Sequence, residues 1–381
     1  MKDIVIVSGK RTPMGDYGGA LRDFSALELG AIAAKAAIGQ SGFDVREFDH
    51  AIFGNALQTS GDALYGARHV ALKAGLPVEV PALTVNRLCG SGIQSIISAA
   101  QLIELGEAKT VLAGGIESMS QAPHVIRGAR WGFRLGQGKL EDSLMVALLD
   151  TYCGCYMAAT AENLARKYGI TREAQDEFAL RSQKLAAAAW EGGRFCDEVT
   201  PVGELARDDH IRPETTFEGL AKLKPAFAKD GFVTAGNASG IVDGGAAVVL
   251  TTAERARVKP IGRIVSWGIA GVLPEIMGIG PVPATKIALE KAGLKLSDID
   301  LVEINEAFAA QYLAVEKALE LERSKVNVNG GAIALGHPLG ATGTRLVMTV
   351  LYELQRRKKR YGVAAACIGG GQGIAIVVEA I

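Results

Sequence analysis

The segment GFDVREFDHAIFGNA (42–56) returns in altered form as GLKLSDIDLVEINEA (293–307). Each copy follows an alanine-rich amphipathic run, at 27–38 and 284–291. Each then spells a short helical turn, an aspartate, an apolar strand and a loop bearing Asn or Gly. An internal repeat of this kind implies two similar structural halves. Working outward, each half carries a Val-Asn pair, Val85-Asn86 and Val328-Asn329. Each pair leads into a glycine-rich turn and a helix, LCGSGIQSIISAAQLIELG in one half and LGHPLGATGTRLVMTVLYELQRR in the other. In the first helix Ile93, Ile96, Ile97, Ala100 and Ile103 fall at helical spacing. Each helix is followed by a strand ending in glycines, TVLAGGIES or GVAAACIGGGQG. Strands alternating with helices predict βαβ units and mixed α/β sheets covered on both faces.

The two halves bracket a dissimilar middle. Residues 119–239 have no counterpart in either copy, and carry helical runs at 158–168 and 172–190, the second capped by Thr171. The apolar run 241–250 reads as a strand returning to the first half. The expected division is a first half of 1–118 with 240–257, an inserted loop domain of 119–239, and a second half of 258–381. An insertion of that size is a lid or a binding loop more often than a core.

Composition narrows the function classes. The 381 residues are 49% hydrophobic and 22% charged, and the 41 basic and 41 acidic residues cancel. A neutral total argues against a broad footprint for nucleic acid or an anionic membrane. No apolar stretch approaches the roughly 20 residues that span a bilayer. The opening MKDIVIVSGKRTP lacks the features of a secretory signal. Five scattered cysteines do not form a disulfide framework, so a reducing, cytoplasm-like compartment is expected, with an organellar address as the alternative. Glycine is the unusual count: 47 of 381, about 12% against about 7% typically. The clusters at 90–92, 114–115, 330–331, 336–343 and 369–373 mark places where backbone must approach something closely.

Four side chains on these turns carry chemistry. Cys89, in NRLCGSG, opens a helix, where unpaired N–H groups and the helix dipole favour a thiolate nucleophile. The bland alternative is a small buried hydrophobe. His337, in ALGHPLGATG, holds nearly the same position in the second half, so the repeat predicts that a cysteine and a histidine meet. Cys367 ends a strand before a glycine run that frees N–H groups for an oxyanion. It reads as a proton donor and acceptor, a core cysteine, or part of a dinucleotide loop; only the strand-like IAIVV follows, which disfavours the last. Asn305, in EINEAFAAQ, ends a strand and opens a helix, and reads either as a water-orienting amide or as an N-cap. Cys153, Cys155 and Cys196 lack metal-ligand spacing and read as packing residues; no metal site is expected.

Together NRLCGSG, GGIESMS, TAGNASG, NEAFA, NGGAIALGHPLGATG and CIGGGQGIA resemble the thiolases, in order and from KRTPMG to the C-terminus. The resemblance implies two βαβαβαββ halves in a five-layered α-β-α-β-α core with an inserted loop domain. It implies that Cys89 carries the acyl group as a thioester and that Cys367 moves the proton at the acetyl carbon. His337 would activate Cys89 and, with a water held by Asn305, stabilise the thioester enolate. The N–H groups of Cys89 and Gly369 would form a second oxyanion hole. Coenzyme A is then a substrate, with no tightly bound cofactor; Ser239 and Ala235 would lie along its pantetheine and Arg212 near its adenine and phosphates. Met157 and Phe308 would line the acyl pocket. For Arg212 the alternative is a solvated charge, and for Met157 plain core packing. Biosynthetic acetoacetyl-CoA thiolases typically carry His before the pocket methionine; Tyr156 stands here, which favours a broader or longer 3-ketoacyl-CoA substrate. The family forms dimers through the core halves, often paired into tetramers through the insertion.

Two rivals share the architecture. A ketoacyl-synthase-type condensing enzyme uses Cys–His–His, which five histidines and Cys367 at the partner position disfavour. A non-catalytic thiolase-like binding protein would have lost a site side chain, and all four are present.

Overall fold

The computed structural model describes residues 3–381; Met1 and Lys2, which open the expected first half, lie outside the described residues. The first half contains β1 (Ile4–Arg11), β2 (His50–Asn55), β3 (Ala82–Val85), β4 (Thr110–Glu117) and β5 (Val242–Thr252), with helices α1 (Ala26–Ser41), α2 (Gly66–Ala74) and α3 (Ser91–Leu105). The middle contributes α4 (Met157–Tyr168) and α5 (Arg172–Glu191). The second half contains β6 (Gly262–Gly271), β7 (Leu301–Ile304), β8 (Tyr361–Ile368) and β9 (Gln372–Glu379), with α6 (Pro281–Ala292), α7 (Ala309–Leu319) and α8 (Leu339–Arg357).

The repeat is visible in the strand order. The first half runs β3-β2-β4-β5-β1, with β3, β2 and β4 parallel and the rest antiparallel. The second runs β7-β8-β9-β6 with the same senses, and a single parallel bridge, Val302 to Val326, stands where β3 has its counterpart. The two sheets touch edge to edge through Val5–Arg263 and Ile6–Gly262. The glycine that opens each repeat copy is a left-handed helix stop: Gly42 has φ 76° after α1 and Gly293 has φ 67° after α6.

Burial explains why the strands read as continuous apolar runs rather than alternating ones. Ile4 and Ile6 pack inward with Ile93 of α3 and Leu346 and Met348 of α8. Val5 and Val7, on the opposite face of β1, pack outward with Leu27, Ala33 and Ala34 of α1. On the other side Ala284 and Ala288 of α6 and Leu313 of α7 cover Val363 and Ala365 of β8. The layers are therefore α1/α2, sheet, α3/α8, sheet, α6/α7, the five-layered α/β arrangement that the resemblance implies.

The centre of this sandwich sets the site. A Cβ on Gly92 would sit 2.4 Å from the Thr344 nitrogen, and one on Gly343 would sit 2.4 Å from the Ile93 nitrogen. Glycine at both positions lets the N-terminal ends of α3 and α8 touch backbone to backbone. The segment Leu88–Leu105 is long and apolar enough to cross a membrane by length and composition, contrary to the reading above. Its hydrophobicity has a local cause: α3 lies in the central layer and is covered by both sheets and α8.

The middle segment carries two small hairpins, His124–Ile126 with Leu140–Asp142 and Leu149–Asp150 with Cys155–Tyr156. Its long helix is capped as expected, the Thr171 hydroxyl accepting from the Ala174 N–H at 3.2 Å.

Candidate active site

Cys89 lies in a single tight turn, Leu88–Gly90, that leads into α3. Leu88, just before it, has φ 46°, a left-handed conformation costly for a residue with a side chain. Asn86 holds it there: its Oδ1 accepts from the Leu88 N–H at 2.9 Å, and its Nδ2 donates to the Ala56 carbonyl at 3.2 Å. His337 lies in the matching turn before α8. Both residues line one cavity of about 360 Å³, together with Gly369, Ser239, Met157 and Phe308. Cys367 is fully buried beside it, packed with Met277 and Ala307 against Met157 and Phe308. Seven of the ten expected site residues thus meet around one hollow, and Asn305 joins them through its bond to His337.

Arg212 and Ala235 do not line the cavity. Both are exposed; the Arg212 guanidinium lies 3.4 Å from Asp16 Oδ2, and its N–H donates to Gln183 Oε1 at 2.8 Å. Tyr156 is exposed as well and forms the N-cap position of α4, one residue from the lining Met157. Cys196, read as a packing residue, is exposed.

Three sequence motifs are stitched together by backbone. The Ser239 N–H donates to Ala307 O at 3.0 Å, the Ala309 N–H to Asn237 O at 2.9 Å, and the His337 N–H to Gly240 O at 3.0 Å. The loop 232–240 is further held by buried carboxylates: Glu162 accepts from Phe232 and Val233, and Asp176 accepts from Asn237 at 2.9 Å.

The imidazole has a defined tautomer. The Thr342 hydroxyl donates to Pro338 O at 3.0 Å, so it accepts the 2.6 Å bond from His337 Nδ1. That leaves Nε2 as the acceptor, 3.1 Å from the Asn305 amide nitrogen. Asn305 is not an N-cap: residues 305–308 remain outside the helix, which starts at Ala309 with Phe308 before it. Thr342 is a partner that reading by residue type missed, although it lies within the quoted ALGHPLGATG.

Electrostatics reverse one expectation. The helix start favours an acidic Cys89. Although the residue is only partly buried, desolvation of its thiol in the cavity pushes it up to about 11, against the pull of the Gly369 and Cys89 N–H groups. Burial, and then nearby Arg345, holds His337 down at about 3. Burial, and then the neighbouring Cys89, raises Cys367 well above the ordinary thiol range. The free site therefore rests as two neutral thiols and a neutral imidazole. Such a set can move protons internally without leaving a buried charge unpaired.

The thiolase N-terminal domain family matches residues 4–254 and the thiolase C-terminal domain family matches residues 258–380; the chain belongs to the thiolase family. It is 52% identical to the human mitochondrial 3-ketoacyl-CoA thiolase, over 100% of this chain and 98% of that protein. It is 51% identical to the acetyl-CoA acetyltransferase of Pseudomonas aeruginosa, over 99% of each, and 49% identical to the beta-ketothiolase BktB of Cupriavidus necator, over 100% of each. The crystal structure of the human mitochondrial 3-ketoacyl-CoA thiolase in complex with CoA superposes with a TM-score of 0.98 at 53% identity, covering 100% of this chain and 98% of that one. Among the described residues no cluster of three metal-ligating side chains occurs.

Proposed function

We propose that this thiolase cleaves 3-ketoacyl-CoA with free CoA, reversibly, to acyl-CoA and acetyl-CoA, by a ping-pong route through an acyl thioester on Cys89. The observation that carries this is the convergence of Cys89, His337 and Gly369 on one cavity with Cys367 beside it. In cleavage, His337 Nε2 takes the Cys89 proton and the sulfur attacks the 3-keto carbon. The alkoxide collapses, the C2–C3 bond breaks, and acetyl-CoA leaves as its enolate. Nε2–H, with a water held by Asn305, stabilises that enolate while the Cys367 thiol protonates C2. The Cys367 thiolate then deprotonates incoming CoA, whose sulfur takes the acyl group; Cys89 leaves and regains its proton from His337. The Cys89 and Gly369 N–H groups, which already pull the Cys89 thiol down, serve the oxyanion of this second half. Donors of that kind are worth about 10²–10³ in rate.

Coenzyme A would run along Ser239 and Ala235 towards Arg212, whose exposure suits phosphate contacts, and the acyl chain would lie by Met157 and Phe308. The apolar cavity and Tyr156 favour a broader or longer 3-ketoacyl-CoA over strict acetoacetyl-CoA, in fatty-acid metabolism including β-oxidation. A reducing compartment, cytoplasmic or the mitochondrial matrix, keeps both site thiols free. We read 119–239 as the inserted unit, and a homo-oligomer as the working form: dimers through the core halves, tetramers through the exposed Trp131 and Leu135 of the insertion.

The deciding measurement is CoA-dependent cleavage of a 3-ketoacyl-CoA series from four carbons upward. Cleavage that strengthens beyond four carbons supports the reading; failure to cleave any member with CoA overturns it in favour of a malonyl-dependent synthase or a binding protein. Cys89→Ser should abolish turnover and keep CoA binding, and turnover retained there would sink the assignment of Cys89.

A further inference from the structure

We propose that Glu117 is a positioning residue whose buried carboxylate locks the turn carrying Cys89 to the turn carrying His337. Those turns lie 248 positions apart in a chain of 381, so their separation depends on contacts across the centre rather than on local sequence. Glu117 ends β4 and is fully buried. Its Oε1 accepts from Asn55 Nδ2 at 2.8 Å and from the Leu57 N–H at 2.9 Å. Its Oε2 accepts from the Ala56 N–H at 3.1 Å and from the Gly340 N–H at 2.8 Å. The first three donors belong to the first half and the last to the second.

Both ends of this bridge reach the site. Gly340 lies in the first turn of α8, three residues after His337. That helix has Pro338 at its N-cap position, no side-chain cap and no acidic residue in its first turn. Helix starts leave amides unpaired and favour a negative charge. Glu117 supplies both from another element, so it acts as the cap that α8 lacks. On the other side Ala56 O receives Asn86 Nδ2, and Asn86 Oδ1 receives the N–H of Leu88, the residue of left-handed φ that precedes Cys89. One hydrogen-bonded path therefore runs from Leu88 through Asn86, residues 55–57, Glu117 and Gly340 to the His337 turn. All four contacts to the carboxylate are donors, the pattern an ionised group requires. Burial pushes Glu117 up to about 7 against the opposing Leu57, Gly340 and Ala56 N–H groups, so its charge is complete only above that pH. Its charge also acts on the Cys89 thiol, adding to the effect of burial.

The inference rests on Cys89 being the nucleophile, which Cys89→Ser tests separately. Glu117→Gln removes the charge and places an amide NH₂ against N–H donors. Expected is a kcat lower by about 10- to 100-fold, as for a site misplaced by about 1 Å. The KM for CoA should stay within about twofold, marking loss of chemistry rather than of binding. The pH midpoint for alkylation of Cys89 by iodoacetamide should move down, since a negative neighbour is gone while Asp243, His337 and Cys367 are unchanged. Glu117→Asp keeps the charge but is too short to span both halves; it should keep the midpoint and lose kcat. Wild-type kcat and midpoint in Glu117→Gln would overturn the proposal, as would wild-type kcat in Glu117→Asp. Should Glu117→Gln fail to fold, Asn86→Ala decides. Asn86 is exposed, so that variant should fold: lower kcat at unchanged KM and melting temperature supports the path, and wild-type kcat overturns it.

Discussion

At Cys89 two effects oppose each other, and their sizes decide the outcome. A helix start contributes about 0.3–1 kcal/mol, less than one pKa unit. Burial shifts a thiol by several units in the opposite sense. The thiol therefore lies near 11 despite its helix start and the Gly369 N–H. Alkylation follows the thiolate, so in the substrate-free protein the rate of Cys89 labelling should climb with pH towards an inflection near 11; an inflection below the ordinary thiol value would show that the dipole wins. His337, neutral at about 3, stays a proton acceptor throughout the working range. Its tautomer hangs on Thr342, so Thr342→Val should leave Nδ1–H unsatisfied, cost about 1–3 kcal/mol of stability and lower kcat more than KM, read by denaturation and steady-state kinetics. Cys89, His337, Cys367 and Asn305 could be singled out as candidates from the sequence because each falls on a repeat junction. The strained φ of Leu88, the partner of His337 and the sign of the Cys89 shift could not, because they depend on the geometry of the folded turns and on burial rather than on residue type.

At the scale of elements, α3 and α8 show what the glycine clusters are for. Strands and helices were readable from periodicity: the run at 241–250 is β5, and 172–190 is α5 with its Thr171 cap. The helix start expected at Asn305 is the reading that fails. In place of an immediate helix, residues 305–308 cross beneath the 232–240 loop and bond to it, as tertiary hydrogen bonds outweighed local capping. The close approach of α3 and α8 could be suspected from glycine, but its location at Gly92 and Gly343 needed the fold. A side chain at Gly343 meets Ile93 backbone that cannot yield. Gly343→Val should cost at least about 1–3 kcal/mol by overpacking and separate the Cys89 and His337 turns, seen as a lower melting temperature together with a loss of kcat in the folded fraction.

For the molecule as a whole, the insertion carries apolar surface that the core does not use. Trp131 is 86% exposed, and Leu135 in the same segment is fully exposed. Large exposed apolar side chains grouped in this way mark an association surface. For the tetramer proposed above, Trp131→Ser with Leu135→Ser should halve the mass measured by light scattering while CoA-dependent cleavage persists; an unchanged mass would overturn the proposed contact. By itself the sequence determined the two-half architecture, because burial of each strand on both faces and each helix at its period is a local constraint repeated along the chain. It also singled out the side chains proposed to carry the chemistry, because a repeat places equivalent turns at equivalent positions. Only the tertiary structure decided that burial keeps the Cys89 thiol protonated, that Thr342 sets the imidazole tautomer, and that a single carboxylate at Glu117 joins the turns carrying Cys89 and His337. Those are effects of distance and desolvation between residues up to hundreds of positions apart, and no local pattern encodes them.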